Sequence, residues 1–263
     1  MATVADILNF VETLAPVYMK ESWDRVGLNC GHPDREVTKV LVALCPSKEA
    51  CAEAKEFGAQ VLLTHHHLIW EPGFVTGMDQ QGKNTLFLIE NSIASINAHT
   101  NLDLAPGGVN DALAAAIGLS DVQVLDPVGT DAAGNPYGLI RTGLVPPQSL
   151  EEFLPTLKQK LGCMGLRYVP GSRPVHRVAV GGGACGSELL AVAASGCDTF
   201  ITGDVKFNAF RDAFDLGLNL IDAGHFHTEN PIIPVLAEKL QAAFPELEVK
   251  ISETHRDPME FFC

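Results

Sequence analysis

The stretch VLVALCPSKEACAEAKEFGAQVLLTHH, residues 40–66, sets the architecture. It holds two short apolar runs, VLVAL and VLLT, separated by Pro46-Ser47 and a helical segment that stops at Gly58. Short β-branched runs alternating with helices are the pattern of a parallel α/β sheet, whose strands are covered on both faces and need no polar alternation. The pattern returns 138 positions later as VAVGGGACGSELLAVAASGCDTFITGD, residues 178–204, without a gap. Gly58 then falls on Gly196, and GAQVLLTHH on GCDTFITGD. A third strand follows each copy, in SIASINAHTNLD at 92–103 and LGLNLIDAGHFHTE at 216–229, where Ile96-Asn97-Ala98 matches Ile221-Asp222-Ala223 at an offset of 125. The expected fold is α/β: two related α/β domains from an internal βαβ repeat, with mainly parallel sheets.

Between the copies, DPVGTDAAGNPYGLIRTGLVPPQSL (126–150) is dense in glycine and proline and is the best boundary candidate. It predicts domains at 1–128 and 129–263, with the C-terminal helix free to cross back. Thr3 with Asp6 opens a helix carrying Val4, Ile7, Leu8 and Val11 on one face. Ser149 with Glu152 opens another through about Leu161, and a helix near 232–243 and a strand near 247–252 end the chain.

Composition narrows the partners. The chain has 263 residues, 46% hydrophobic and 19% charged, with a net charge of −14. Such a chain is too apolar for disorder, and its acidity offers nucleic acid or an anionic membrane no general attraction. It contains no apolar run of spanning length, and its N-terminal segment carries Asp6 and Glu12 where a signal peptide has basic charge. The expected location is the cytoplasm. Seven scattered cysteines without a C-x-x-C pair read as reduced thiols.

Six of nine histidines cluster at three predicted strand ends: His65, His66 and His67; His99; His225 and His227. Open α/β sheets place ligand sites at the carboxyl ends of their strands. Asp103 follows His99 by four residues, and Glu229 follows His225 by four, so imidazole and carboxylate donors suited to zinc, iron or manganese collect there. On a regular strand His65 and His66 would face opposite ways. If the backbone turns at the strand end, each can hold one of two ions about 3.5–4 Å apart, bridged by Asp103 or Glu229. His67, His99 and His227 are candidates for supporting or proton-transfer roles, while His32, His176 and His255 are assigned to the surface.

Two further motifs stand out. Gly181, Gly183 and Gly186 form G-x-G-x-x-G after the strand RVAV, with Asp204 ending the next strand, as in a dinucleotide-binding turn. Lys206 is the cation such an anion site would need. The first copy has Ala43, Cys45 and Lys48 at the equivalent positions, which favours tight strand-to-helix packing over a phosphate cradle. WDRVGL (23–28) is expected to be a packed turn near a site or interface.

Together SWDRVGLNCG, VLLTHHHLIW, AHTNLDLAPGGVNDALA, FITGDVKFNA and LIDAGHFHTE resemble the GTP cyclohydrolase I type 2-like family, also called the Nif-three-like dinuclear metal-centre hexamer family, in its short form. The likeness spans about residues 3–258. It implies a two-domain α/β subunit, a toroidal homohexamer, and a two-metal site between the domains with His65, His66, Asp103, His225 and Glu229 as ligands. The chain departs from the family pattern at His67, where proline is usual, and at His227, where a small residue is usual.

The expected function is a metal-dependent hydrolase of a nucleotide or related compound, holding two divalent metal ions (zinc, iron or manganese). For GTP, attack at the imidazole C8 would lead to ring opening and release of formate. His99 or His227 would carry protons. A non-catalytic metal-binding or interaction scaffold is the alternative, and a nicotinamide-dependent oxidoreductase built on the glycine turn is a third. The expected partners are a small-molecule substrate and further copies of the chain.

Overall fold

The computed structural model describes residues 1–71 and 73–262. Cys263, one of the seven thiols, lies outside them. The chain runs through α1 (Val4–Leu14), β1 (Gly27–Cys30), β2 (Lys39–Ala43), α2 (Lys48–Phe57), β3 (Val61–Thr64), α3 (Gln80–Glu90), β4 (Ala94–Asn97) and α4 (Thr100–Leu104). It continues through α5 (Val109–Ile117), β5 (Ser120–Leu125), the short pair β6 (Gly129–Thr130) and β7 (Pro136–Tyr137), β8 (Ile140–Gln148), α6 (Leu150–Leu161), β9 (Arg167–Val169) and β10 (Val175–Val180). Then come α7 (Leu189–Ala194), β11 (Thr199–Thr202), α8 (Phe207–Leu216), β12 (Asn219–Asp222), α9 (His225–Glu229), α10 (Ile232–Ala243) and β13 (Glu248–Ile251).

These elements form two compact units. The first is Met1–Ala105 with Ile233–Arg256, and the second is Pro106–Ile232 with the chain from Asp257 onward. The glycine- and proline-rich stretch 126–150 therefore lies inside the second unit, where it supplies β6, β7 and β8. The stretch forms a hairpin and an inner strand of the second sheet instead of a linker.

The first unit has one sheet in the order β1-β4-β3-β2-β13, parallel except for the edge strand β1. The second has the order β5-β8-β10-β11-β12-β9, with the repeat strands β10, β11 and β12 parallel and antiparallel strands flanking them. Register confirms the repeat. Val40 pairs with Val61 and Val178 with Thr199, preserving the offset of 138; Val61 pairs with Ala94 and Thr199 with Asn219, preserving 138 on one side and 125 on the other. The helix after each first strand stops at a left-handed glycine, Gly58 with φ 76° and Gly196 with φ 82°.

Packing follows from the strand pattern. In the first unit Leu41, Ala43 and Leu62 meet Ala50, Cys51 and Ala54 of α2 and Leu88 of α3. In the second, Val178, Val180, Ile201 and Ile221 face α5 and α6, while their neighbours Ala179, Phe200 and Leu220 face α7 and α8. Both faces of that sheet are covered, which is why its central strands are continuously apolar. The capping boxes expected at Thr3/Asp6 and Ser149/Glu152 are present. The six described cysteines are free, and burial pushes the Cys51 thiol up to about 12 and Cys163 up to about 11.

One expectation needs correction. His255 is not a surface residue: it is half-buried, and its Nε2 accepts the Leu44 N–H at 3.0 Å. In WDRVGL, Asp24 (3% exposed) and Gly27 are buried, while Trp23 is 60% exposed and meets the His99 ring edge-on at 6.1 Å, so the segment is a turn beside the histidine group as expected.

Candidate metal centre

In the first unit β3 ends at Thr64, and the chain turns at once. The Thr64 hydroxyl donates to the His66 carbonyl at 2.8 Å, and the His66 N–H donates to the Leu44 carbonyl at 2.9 Å. This turn abolishes the strand alternation that would have separated the two side chains, so the His65 and His66 rings lie 5.0 Å apart, centre to centre. His99, at the end of the adjacent strand β4, has its ring 5.0 Å from that of His65 and 5.7 Å from that of His66. Asp103, one turn into α4, places Oδ1 3.5 Å from His65 Nε2.

Acceptors fix the imidazoles. His65 Nδ1 lies 2.8 Å from the Ala98 carbonyl oxygen, which can only accept, so Nδ1 carries the proton and Nε2 of the neutral ring carries the lone pair. His66 Nδ1 lies 2.9 Å from Cys45 Sγ.

Asp24 is the buried hub beside this group. It accepts from His67 Nε2 at 2.5 Å, from His99 Nδ1 at 3.2 Å, and from both the N–H and the hydroxyl of Thr100. Burial alone would raise its pKa, but the hydrogen bonds from His67, His99 and Thr100 outweigh burial and hold the carboxyl far below the usual range. Burial lowers His99 to about 4 against the opposing pull of Asp24, with the neighbouring His65 and His67 adding to the fall. His99 is accordingly neutral at pH 7, an acceptor and not a donor of a proton at the nitrogen that Asp24 does not hold.

The second unit carries its own donor set. His225 begins α9 and Glu229 ends it, and His225 Nε2 lies 3.1 Å from Glu229 Oε1. Asp204, at the end of β11 with φ 51°, accepts from His225 Nδ1 at 2.8 Å. The glycine turn packs on this helix. Gly183 donates its N–H to Thr228 Oγ1 at 3.0 Å, and a Cβ at Gly183 would lie 2.3 Å from Glu229 Oε1. A buried carboxylate thus sits against the turn where a phosphate cradle would need its anion, which removes the physical basis for dinucleotide binding there. Lys206 is exposed at the start of α8. His227 is held by the Leu161 carbonyl at 3.2 Å and Asp257 Oδ2 at 3.3 Å, so both its ring nitrogens have structural partners.

Asp24, Asp204 and Cys45 contact the histidines, a role that the sequence pattern did not assign to them. A signal existed for Asp204, because it falls on His66 at the repeat offset.

Donor chemistry fits a cation in both units. With Nδ1 held by the Ala98 carbonyl or the Asp204 carboxylate, His65 directs Nε2 toward Asp103, and His225 directs Nε2 toward Glu229. A cation can lie between such a nitrogen and its carboxylate, and imidazoles whose second nitrogen is tied to a carbonyl or carboxylate are the usual form of metal-ligating histidine.

An α/β protein with imidazole–carboxylate donor sets at the carboxyl ends of its repeated strands is the class defined here. The chain belongs to the DUF34/NIF3 (NGG1p interacting factor 3) family, whose model matches residues 2–258. It is 34% identical to the GTP cyclohydrolase 1 type 2 homolog of Clostridium perfringens, over 97% of this chain and 98% of that one. It is 35% identical to the homolog of the same name from Streptomyces coelicolor, over 98% and 94%. Among solved structures, the Staphylococcus aureus protein SA1388 matches with a TM-score of 0.91 and 29% identity over 99% of both chains. Reduced HcgD from Methanocaldococcus jannaschii matches with a TM-score of 0.79 and 30% identity over 96% of this chain and 98% of that one.

Proposed function

We propose that the protein binds two divalent metal ions through His65, His66, Asp103, His225 and Glu229, and is a metal-dependent hydrolase of a nucleotide or related compound. The observation that supports the metal reading is the placement of an imidazole Nε2 beside a carboxylate in each unit, each ring being held at Nδ1. Five donors exceed what one tetrahedral ion uses. Bound ions would supply a nucleophile at neutral pH by lowering the pKa of water from about 15.7 towards 7. The substrate class is supported by the name shared by the relatives, GTP cyclohydrolase 1 type 2 homolog.

The chain's own contribution is orientation. The Ala98 carbonyl and the Asp204 carboxylate fix the tautomers of His65 and His225, and the turn at Thr64 brings His65 and His66 to one side.

Elemental analysis of gently purified protein, followed by a hydrolase substrate screen, tests the proposal. The expected result is close to two ions per chain, with turnover that His66→Ala abolishes. A folded protein that takes up no zinc, iron or manganese would refute the metal reading. Stoichiometric metal without turnover across the screen would favour the scaffold instead.

A further inference from the structure

We propose that His99 is an additional metal ligand, set in that role by the buried carboxylate of Asp24, so that His65, His66 and His99 form a three-imidazole site. The inference deepens the metal-binding reading above and rests on it. One ring nitrogen from each of the three histidines lies within 4.8 Å of the other two, within reach of one ion or of two ions about 3.5–4 Å apart.

Asp24 determines which nitrogen His99 offers. Its carboxylate can only accept, so the His99 proton resides on Nδ1, 3.2 Å from Oδ2, and the lone pair resides on Nε2. His65 is prepared in the same way by the Ala98 carbonyl. The carboxylate itself cannot turn away. Oδ2 is also held by the N–H and hydroxyl of Thr100, and Oδ1 by His67. His99 has no backbone freedom either, because its N–H donates to Asn101 Oδ1 at 2.9 Å and α4 begins at the next residue. A buried, acceptor-locked imidazole beside two others is what a ligand requires, and this gives the buried aspartate of WDRVGL a role. Asp24 is a positioning residue: it acts through His99.

The test measures zinc and cobalt(II) affinity of the full chain by competition with a chromophoric chelator, for wild type, His99→Ala, Asp24→Asn and the double variant. His99→Ala and Asp24→Asn are each expected to weaken binding by about 10–100-fold, the range seen when a ligand's supporting partner is lost. Most of the Asp24→Asn loss should vanish in the His99→Ala background, leaving only what Asp24 contributes through Thr100 and the helix that carries Asp103. Nitrogen-15 NMR of the metal-free wild type should show His99 protonated at Nδ1, a readout independent of how well Asp24→Asn folds. The inference is overturned by wild-type affinity and an unchanged cobalt spectrum in His99→Ala, by fully additive losses in the double variant, or by an Nε2-protonated His99. A wild type that binds neither metal refutes the underlying reading instead, and is recognised because no variant is needed to see it.

Discussion

Replacing Gly183 by alanine should damage the metal centre from within the glycine turn. The backbone there has φ +66°, where a side chain adds strain of about 1–3 kcal/mol. The new Cβ would also stand 2.3 Å from Glu229 Oε1 and 3.2 Å from His225 Nε2. Ordinary contact begins near 3.5 Å, so the carboxylate must retreat by roughly 1 Å. Glu229 is buried, and its helix is tied to the turn through Thr228, so the displacement passes to the donor pair. A misplacement of that size costs about 100-fold where geometry is critical. Gly186→Ala is the control, since a Cβ at that position meets nothing within 4 Å. The assay is calorimetric unfolding in chelator for the strain, with zinc affinity and metal content for the donors. Gly183→Ala should melt about 2–4 °C lower for each kcal/mol lost and should bind zinc far more weakly, while Gly186→Ala matches wild type. Wild-type zinc affinity in a folded Gly183→Ala would refute the assignment of this turn to packing against Glu229.

Asp103→Ala should lower metal content while leaving the fold intact, as elemental analysis beside far-ultraviolet circular dichroism would show; unchanged metal would remove Asp103 from the ligand set. Glu53 is held at about 2 because hydrogen bonds from Ser252, Glu253 and Thr254 outweigh the burial that would raise it. Its folded pKa lies below its unfolded value of 4.5, so its contribution of about 2–3 kcal/mol is complete above pH 4.5 and lost as pH falls towards 2. Glu53→Gln should therefore lose that stability at pH 7 and flatten the acid limb of a urea-denaturation series. Arg141, 1% exposed, is paired through two nitrogens with Asp111, and Asp111→Ala should cost about 3–5 kcal/mol in equilibrium denaturation by stranding a buried charge. Light scattering at micromolar concentration should report a closed oligomer of six copies, and a persistent monomer would contradict the assembly that the resemblance implies.

The repeat was legible because its physics is local in sequence. Two apolar runs, a helix and a stopping glycine recur at fixed offsets, and hydrogen-bond register copies those offsets. The histidines were legible by type and by position at strand ends. Their supporting groups were not. Asp24 reaches His67 and His99 across long separations, and nothing in the letters WDR distinguishes a buried aspartate from an exposed one. Tryptophan drew the eye to that segment, but the carboxylate beside it makes the contacts. His255 was misplaced for the same reason, since its partner Leu44 lies at the opposite end of the chain. The glycine turn misled in the other direction, because spacing alone does not show that a carboxylate stands against it.

The parallel pairing of β13 with β2 has a kinetic consequence. During synthesis the first unit emerges early but lacks its edge strand until the second unit's main segment, Pro106–Ile232, has been translated. All six strands of the second sheet lie within that segment, so it can complete its sheet while β2 still presents an open edge. That edge is the apolar run Val40–Ala43, the kind of segment that recruits other chains when left uncovered. The unit made first is thus the last to close, and the interval between is when a nascent chain is most exposed to aggregation and most dependent on a chaperone.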